Sequence, residues 1–138
     1  MSRKIRPSVV AVLALIGAGP ALSQQVEEVH FEPGNYGTMV TGSVTGDAFV
    51  DYTLGAKAGQ QMFAELTVAK TDGDGVAYFN IMPPGAEWEA LYVGSMDDDN
   101  SETVELPLDG VYTIRVYLMG NDADTGKTVD FNLDLSIQ

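Results

Sequence analysis

Apolar and polar residues alternate along much of the chain after residue 24. The clearest runs place apolar side chains at every second position of 50–54, 104–108, 112–118 and 131–137. Neighbouring side chains of a β-strand point to opposite faces, so each run predicts a strand with one buried and one wetter face. The even positions of 112–118 and the odd positions of 131–137 are therefore expected in the core.

Clusters of Gly, Pro, Asn and Asp separate these runs at short intervals, as in Pro33-Gly34-Asn35 and Asp109-Gly110. Gly favours left-handed backbone and Asn and Asp tolerate it, so such clusters reverse the chain. They delimit strands near 26–31, 37–44, 48–55, 60–69, 76–82, 89–94, 101–106, 111–119 and 128–137. Eight or nine short strands and no long helical pattern predict an all-β fold. We expect an antiparallel β-sandwich of jelly-roll-like form, with a barrel as the alternative.

The first 23 residues have the three parts of a secretory signal peptide. Arg3, Lys4 and Arg6 precede an apolar run over 9–18, and Ala21-Leu22-Ser23 supplies the small residues of a cleavage site. The apolar run is too short for a permanent span of the bilayer, although a retained anchor on the membrane surface is an alternative. We expect cleavage near Ser23, which leaves 24–138 as a single domain in the periplasm or outside the cell.

Charge and composition narrow the possible functions. Three of the seven basic residues lie in the signal peptide, so residues 24–138 keep four against all twenty acidic residues, a net charge of −16. Such a surface repels nucleic acid and attracts a basic partner, or simply keeps an exported protein soluble. The chain has no cysteine and one histidine, His30. This scarcity of nucleophiles and acid–base groups predicts a binding protein without catalytic residues.

Two loops are rich in carboxylates, the oxygen ligands that calcium prefers. One contains Asp72 and Asp74, and the other contains Asp97 and Asp99. The first lacks the third side-chain ligand and the closing glutamate of an EF-hand, and acidic runs often form solvated turns. The sequence therefore predicts no cofactor, with calcium at these four aspartates as a weaker alternative.

Two segments resemble a known group of small secreted sandwiches. The stretch 106–116, Leu-Pro-Leu-Asp-Gly-Val-Tyr-Thr-Ile-Arg-Val, is similar to a hairpin of the bacterial pre-peptidase C-terminal domain, as is the strand–turn–strand pattern over 51–60. The resemblance implies a β-sandwich and, by itself, indicates fold alone.

A wider resemblance covers nearly all of the chain after the signal peptide. Val29-His30-Phe31, the segment 41–46, the segment 78–85 and Asn121-Asp122-Ala123 follow the order found in the periplasmic inhibitors of g-type lysozyme. Some relatives carry the label "DNA breaking-rejoining protein", but four basic residues cannot form a phosphate-binding track. The resemblance implies a β-sandwich whose loop after the penultimate strand enters the lysozyme cleft.

The resemblance also implies a partner-binding site, with three departures from the family pattern. In the family, arginines flank the Asn-Asp-Ala core of the loop, whereas Gly120 and Asp124 stand at those positions here. Val40 stands where the family has a supporting tyrosine. The partner-binding residues expected on this basis are Asn121, Asp122, Ala123, Asp124 and Lys127.

Two interpretations of this loop follow. In the first, the chain is an exported inhibitor that blocks a g-type lysozyme or another cell-wall hydrolase. In the second, residues 121–126 form only a hairpin turn. The chain is then a non-inhibitory envelope module that binds protein, glycan or calcium on the same fold.

Overall fold

The computed structural model describes residues 24–87 and 89–138, so the predicted signal peptide, residues 1–23, lies outside the described residues. The described residues form nine strands and one short helix, which confirms the all-β prediction. The elements are β1 (Gln24–Glu28), β2 (Gly37–Thr45), β3 (Phe49–Ala56), β4 (Gln61–Thr71), β5 (Ala77–Met82), β6 (Tyr92–Val93), β7 (Ser101–Glu105), β8 (Gly110–Leu118), α1 (Gly120–Asp124) and β9 (Thr128–Ile137).

The strands form two packed sheets. One sheet has the order β1-β3-β8-β5-β6 and the other has the order β2-β9-β4-β7. From β2 to β5 the chain changes sheet at every connection, and β8 and β9 again lie in different sheets. This alternation is the topology of a jelly roll, so the β-sandwich prediction is confirmed.

The alternating runs supply the core as their periodicity requires. Tyr112, Ile114, Val116 and Leu118 of β8 are all buried, and they face the buried odd-numbered residues 131–137 of β9. The run 104–108 departs from the prediction, because β7 ends at Glu105 and Leu108 is exposed.

Two features of the first sheet differ from the expected pattern. β1 pairs with β3 in parallel, which is possible because β2, in the other sheet, forms the crossover between them. The strand expected over 89–94 is reduced to Tyr92–Val93. It gives way to a 3₁₀ turn, Gly94–Met96, in which Gly94 lies against the backbone of Phe79 so closely that a Cβ would overlap it.

Three connections meet at one end of the sandwich. Thr45, the last residue of β2, pairs with Thr128 of β9. Thr71, the last residue of β4, pairs with the next residue of β9, Val129. Because β8 leads directly to β9, the β2–β3 turn, the β4–β5 loop and the β8–β9 loop lie together. This end of the sandwich therefore holds the segment expected to bind a partner.

Candidate functional site: the loop between β8 and β9

The β8–β9 loop is a single helical turn and not a simple hairpin turn. α1 covers Gly120–Asp124, and the Thr125 N–H and hydroxyl both donate to the Asn121 carbonyl, at 2.9 and 2.7 Å. Gly120 and Gly126 have φ values of 65° and 71°, a region that L side chains rarely adopt. The two glycines therefore allow the chain to leave β8 and to enter β9 at the ends of a compact turn.

Asp122 fastens this turn to the β4–β5 loop. Its side chain is fully buried, and the carboxylate accepts backbone N–H groups from Asp74 at 2.8 Å, Gly75 at 2.9 Å and Val76 at 3.0 Å. These donors hold the pKa of Asp122 below its ordinary value, with a further contribution from the nearby ammonium group of Lys127. The carboxylate thus satisfies three backbone donors that would otherwise be left without partners.

The β4–β5 loop is held in turn by β9. The Thr128 N–H donates to the Asp72 carboxylate at 2.9 Å, and the Thr71 hydroxyl donates to the Thr128 carbonyl at 2.9 Å. The Gly46 N–H of the β2–β3 turn donates to the Lys127 carbonyl, also at 2.9 Å. The helical turn is therefore supported on two sides by neighbouring loops.

Gly73 lies where the β4–β5 loop packs tightly against the β8–β9 loop. A Cβ built on Gly73 would lie 2.5 Å from Asp122 Oδ1 and 2.9 Å from Lys127 Cβ. Neither atom can retreat freely, because Asp122 is fixed by its three hydrogen bonds and Lys127 Cβ is attached directly to the backbone. Only glycine fits between the loops as they stand.

We expect Gly73→Ala to lower the free energy of unfolding by about 1–3 kcal/mol, the usual range for overpacking. Urea denaturation of the variant measures the change. Gly55→Ala is a suitable control, because a Cβ there meets no atom within 4 Å. Equal stabilities of the two variants would show that the loops separate without cost.

The five residues of the expected site divide by exposure. Asn121 and Asp124 are exposed, whereas Ala123 and Lys127 are half-buried and Asp122 is buried. The Asn121 amide donates a long hydrogen bond, 3.5 Å, to the Asp74 carboxylate. Asn121 and Asp124 are therefore the residues most accessible to a partner. Asp122 contributes to the site indirectly, because its hydrogen bonds hold the helical turn in place.

The four calcium candidates do not share one cluster. Asp72 and Asp74 face the β8–β9 loop, whereas the carboxylate of Asp97 accepts the Tyr92 hydroxyl at 2.8 Å and the Asp99 N–H at 3.3 Å. In residues 24–87 and 89–138, no three His, Asp or Glu side chains are grouped so that they could hold a metal ion. The absence of a cofactor stays a prediction, with calcium as its alternative.

The β-sandwich fold is shared with proteins of known function. The structure is similar to that of a periplasmic lysozyme inhibitor of g-type lysozyme from Aeromonas hydrophila, with a TM-score of 0.74. The two chains are 36% identical, and the match covers 83% of this chain and 97% of the other. The chain belongs to the family of periplasmic inhibitors of g-type lysozyme. The family predicted from the sequence is confirmed.

Two further proteins are similar to this chain, one to its sequence and the other to its fold alone. The inhibitor of g-type lysozyme of Escherichia coli (strain K12) is 26% identical over 136 residues, which are 99% of this chain and 98% of that protein. The pre-peptidase C-terminal domain of a collagenase from Bacillus anthracis is 15% identical, with a TM-score of 0.53 over 88% of this chain and all of that one, and shares the fold alone. No family model matches the chain.

The similar inhibitors from Aeromonas hydrophila and Escherichia coli are periplasmic, which confirms the predicted location outside the cytoplasm. No helix within the described ranges has the length and apolar character needed to cross a membrane.

The residues that depart from the inhibitor-family pattern occupy different environments. Gly120 opens α1 with a positive φ, a conformation that suits glycine better than arginine. Asp124 closes α1 and is exposed. Val40 lies in the middle of β2, opposite Leu133, and packs against the core. Val40 is therefore several residues from the end of the sandwich that carries the loop.

Two features of the structure could not be predicted directly from the sequence. The first is the set of backbone N–H donors of residues 74–76, because side-chain types do not show where a backbone N–H points. The Asp-Gly-Asp-Gly pattern of 72–75 predicts only a tight loop. The ion pair between Arg115 and Asp51 joins residues 64 positions apart. The alternation of buried and exposed positions in β8 and β3 predicts that both side chains lie on the outer face of the sheet, but it does not predict that they pair.

Proposed function

We propose that this chain binds a g-type lysozyme and inhibits it by placing the β8–β9 loop in the active-site cleft. Membership of the inhibitor family at 36% identity, together with an exposed helical turn at the corresponding place, supports this function. The turn is held by hydrogen bonds to two other loops before any partner arrives. Such preorganisation reduces the entropy lost on binding.

The chemistry of the turn suits a cleft that contains carboxylates, as the clefts of glycosidases do. The exposed amide of Asn121 has two N–H donors, one of which makes the long hydrogen bond to Asp74, and one acceptor oxygen. Lys127, at the end of the loop, supplies a positive charge next to the turn. Asp124 would be repelled by a carboxylate, so in this proposal it lies at the edge of the contact and faces solvent or a basic group.

We also infer that the chain acts by binding alone and that this action requires no cofactor. The proposed contact is made by an amide, an ammonium group and backbone atoms, none of which needs to change covalently. Blocking a cleft requires shape and hydrogen bonding, not acid–base catalysis.

The inhibition is tested by lysozyme turnover with g-type, c-type and i-type enzymes at low and moderate salt. We expect inhibition of the g-type enzyme at both salt concentrations. Asn121→Ala should weaken it about tenfold, the effect of losing hydrogen bonds that contribute about 1.4 kcal/mol.

Asn35→Ala is the matched control, because Asn35 is exposed in the β1–β2 connection at the opposite end of the sandwich. Its inhibition should equal that of the unmodified chain. Inhibition that vanishes at moderate salt in every variant would indicate nonspecific attraction of the acidic surface. Absence of inhibition with all three enzymes would leave the non-inhibitory binding module as the better proposal.

A further inference from the structure

A cavity of about 380 Å³ opens on the outer face of the first sheet, beside the β8–β9 loop. Its wall includes Ala123 of α1, so the cavity adjoins the loop directly. The other residues on which its chemistry depends are Asp47, Phe49, Met82, Glu87 and Tyr117. The cavity is formed by β3, β5 and β8 and by the connections that follow β2 and β5.

The walls of this cavity are mainly apolar and are fixed in place. Phe49 packs under the guanidinium of Arg115, whose Cζ lies 4.0 Å from the ring centroid. The Tyr117 hydroxyl donates to Asn80 Oδ1 at 2.7 Å, which fixes the direction of the tyrosine ring. Met82 is buried and closes the cavity on the β5 side. The arrangement offers rigid aromatic and aliphatic surface to a side chain with an apolar stem.

The charge at the cavity is negative. Asp47 and Glu87 are exposed, and within residues 24–87 and 89–138 neither takes part in an ion pair. The one positive group that lines the cavity, Arg115, is matched by the buried Asp51, to which it donates at 2.8 and 2.9 Å. Two carboxylates therefore remain without a counter-charge beside an apolar pocket.

We infer that this cavity binds a lysine or arginine side chain of the protein that the β8–β9 loop engages. The apolar stem of such a side chain packs on Tyr117 and Phe49, and its charged head reaches Asp47 and Glu87. The net charge of −16 in residues 24–138 attracts a basic partner to the chain, and Asp47 and Glu87 place part of that charge at the cavity. The inference rests on the proposed function for the identity of the partner, but the pocket itself can be tested without lysozyme.

The first experiment is an NMR titration of chain 24–138 with Nα-acetyl-lysine methylamide. We expect saturating shifts of the backbone amides of Phe49, Tyr117 and Ala123 and of the Asn80 side-chain amide. The norleucine analogue, which lacks the ammonium group, should leave these signals in place. The variant Asp47→Asn/Glu87→Gln should bind the lysine derivative about fivefold more weakly.

The second experiment measures lysozyme inhibition by the same double variant. We expect a loss of about fivefold or more, against no loss for Glu65→Gln/Glu105→Gln. That control removes two exposed carboxylates from the second sheet and so corrects for the change in net charge.

The outcomes separate the two proposals. Localised shifts with the lysine derivative, but no inhibition of any lysozyme, would support the cavity and reject the proposed function. Inhibition that survives Asp47→Asn/Glu87→Gln, without localised shifts, would overturn the inference and leave the function intact. Shifts produced equally by the norleucine analogue, or by N-acetylglucosamine in place of the lysine derivative, would also overturn it.

Discussion

Asp122→Asn should lower the melting temperature by about 5–10 °C and weaken lysozyme inhibition by more than tenfold. The substitution replaces one carboxylate oxygen by an NH₂ group, which must then face at least one of the backbone N–H donors of residues 74–76. A donor opposed to a donor leaves both without a partner in a buried place, which costs more than a lost hydrogen bond. Thermal unfolding followed by circular dichroism measures the shift.

Acid should have the same effect on the unmodified chain. The folded-state pKa of Asp122 lies below its ordinary value of 3.8, so folding favours the ionised carboxylate. Its stabilising contribution is complete above the pKa of the unfolded chain and is lost as the pH falls through the lower folded pKa. The difference in melting temperature between the unmodified chain and Asp122→Asn should therefore be constant near neutral pH and shrink below about pH 4.

Asp124→Asn provides the control for this substitution. Asp124 belongs to the same helical turn and carries the same charge, but its side chain is exposed. We expect its melting temperature to stay within about 2 °C of that of the unmodified chain. If both substitutions had equal effects, net charge near the loop would explain them, and the anchoring role of Asp122 would have to be abandoned.

The fold was largely predictable because its signals are local. Each residue of β8 shows its burial through alternation with its neighbours, and the turns carry Gly, Asn or Asp at the reversals. The nine strands therefore lie within a few residues of the predicted ranges, apart from the shortened β6. The parallel pairing of β1 with β3 depends on which sheet β2 joins. No pattern within Gln24–Glu28 itself carries that information.

The site was predictable only in outline. The family resemblance placed the loop, and Gly120 and Gly126 mark where it leaves β8 and enters β9. The sequence does not predict that the Asp122 side chain points inward. A helical turn of five residues is too short to show the periodicity from which a buried face is inferred. Its partners are backbone groups nearly 50 residues away, so its inward orientation becomes visible only when the two loops are brought together.

The second large effect is expected at the ion pair on the outer face of the first sheet. Arg115 donates through Nε and through one terminal nitrogen to the two oxygens of Asp51, at 2.8 and 2.9 Å. These bonds raise the pKa of Arg115 above its ordinary value. Asp51 is 5% exposed, so its carboxylate depends on the guanidinium for most of its stabilisation.

Arg115→Met should lower the free energy of unfolding by about 2–4 kcal/mol, because it leaves a buried carboxylate without its counter-charge. The expected value lies below that of a fully buried pair, since the arginine side chain is 28% exposed and water offsets part of the loss. Methionine keeps the aliphatic stem of the side chain but lacks the guanidinium that lies over the Phe49 ring. The loss in this single variant therefore combines charge, hydrogen bonding and the contact with Phe49. Urea denaturation measures it.

A double-mutant cycle with Asp51→Asn separates the pair from its surroundings. Arg115→Met in the Asp51→Asn background should cost about 1 kcal/mol or less, because no unpaired buried charge remains. Equal costs in the two backgrounds would contradict the account and assign the effect to the packing of Arg115 on Phe49. The distinction matters for the site, since a guanidinium matched by Asp51 leaves the neighbouring cavity with the full negative charge of both Asp47 and Glu87.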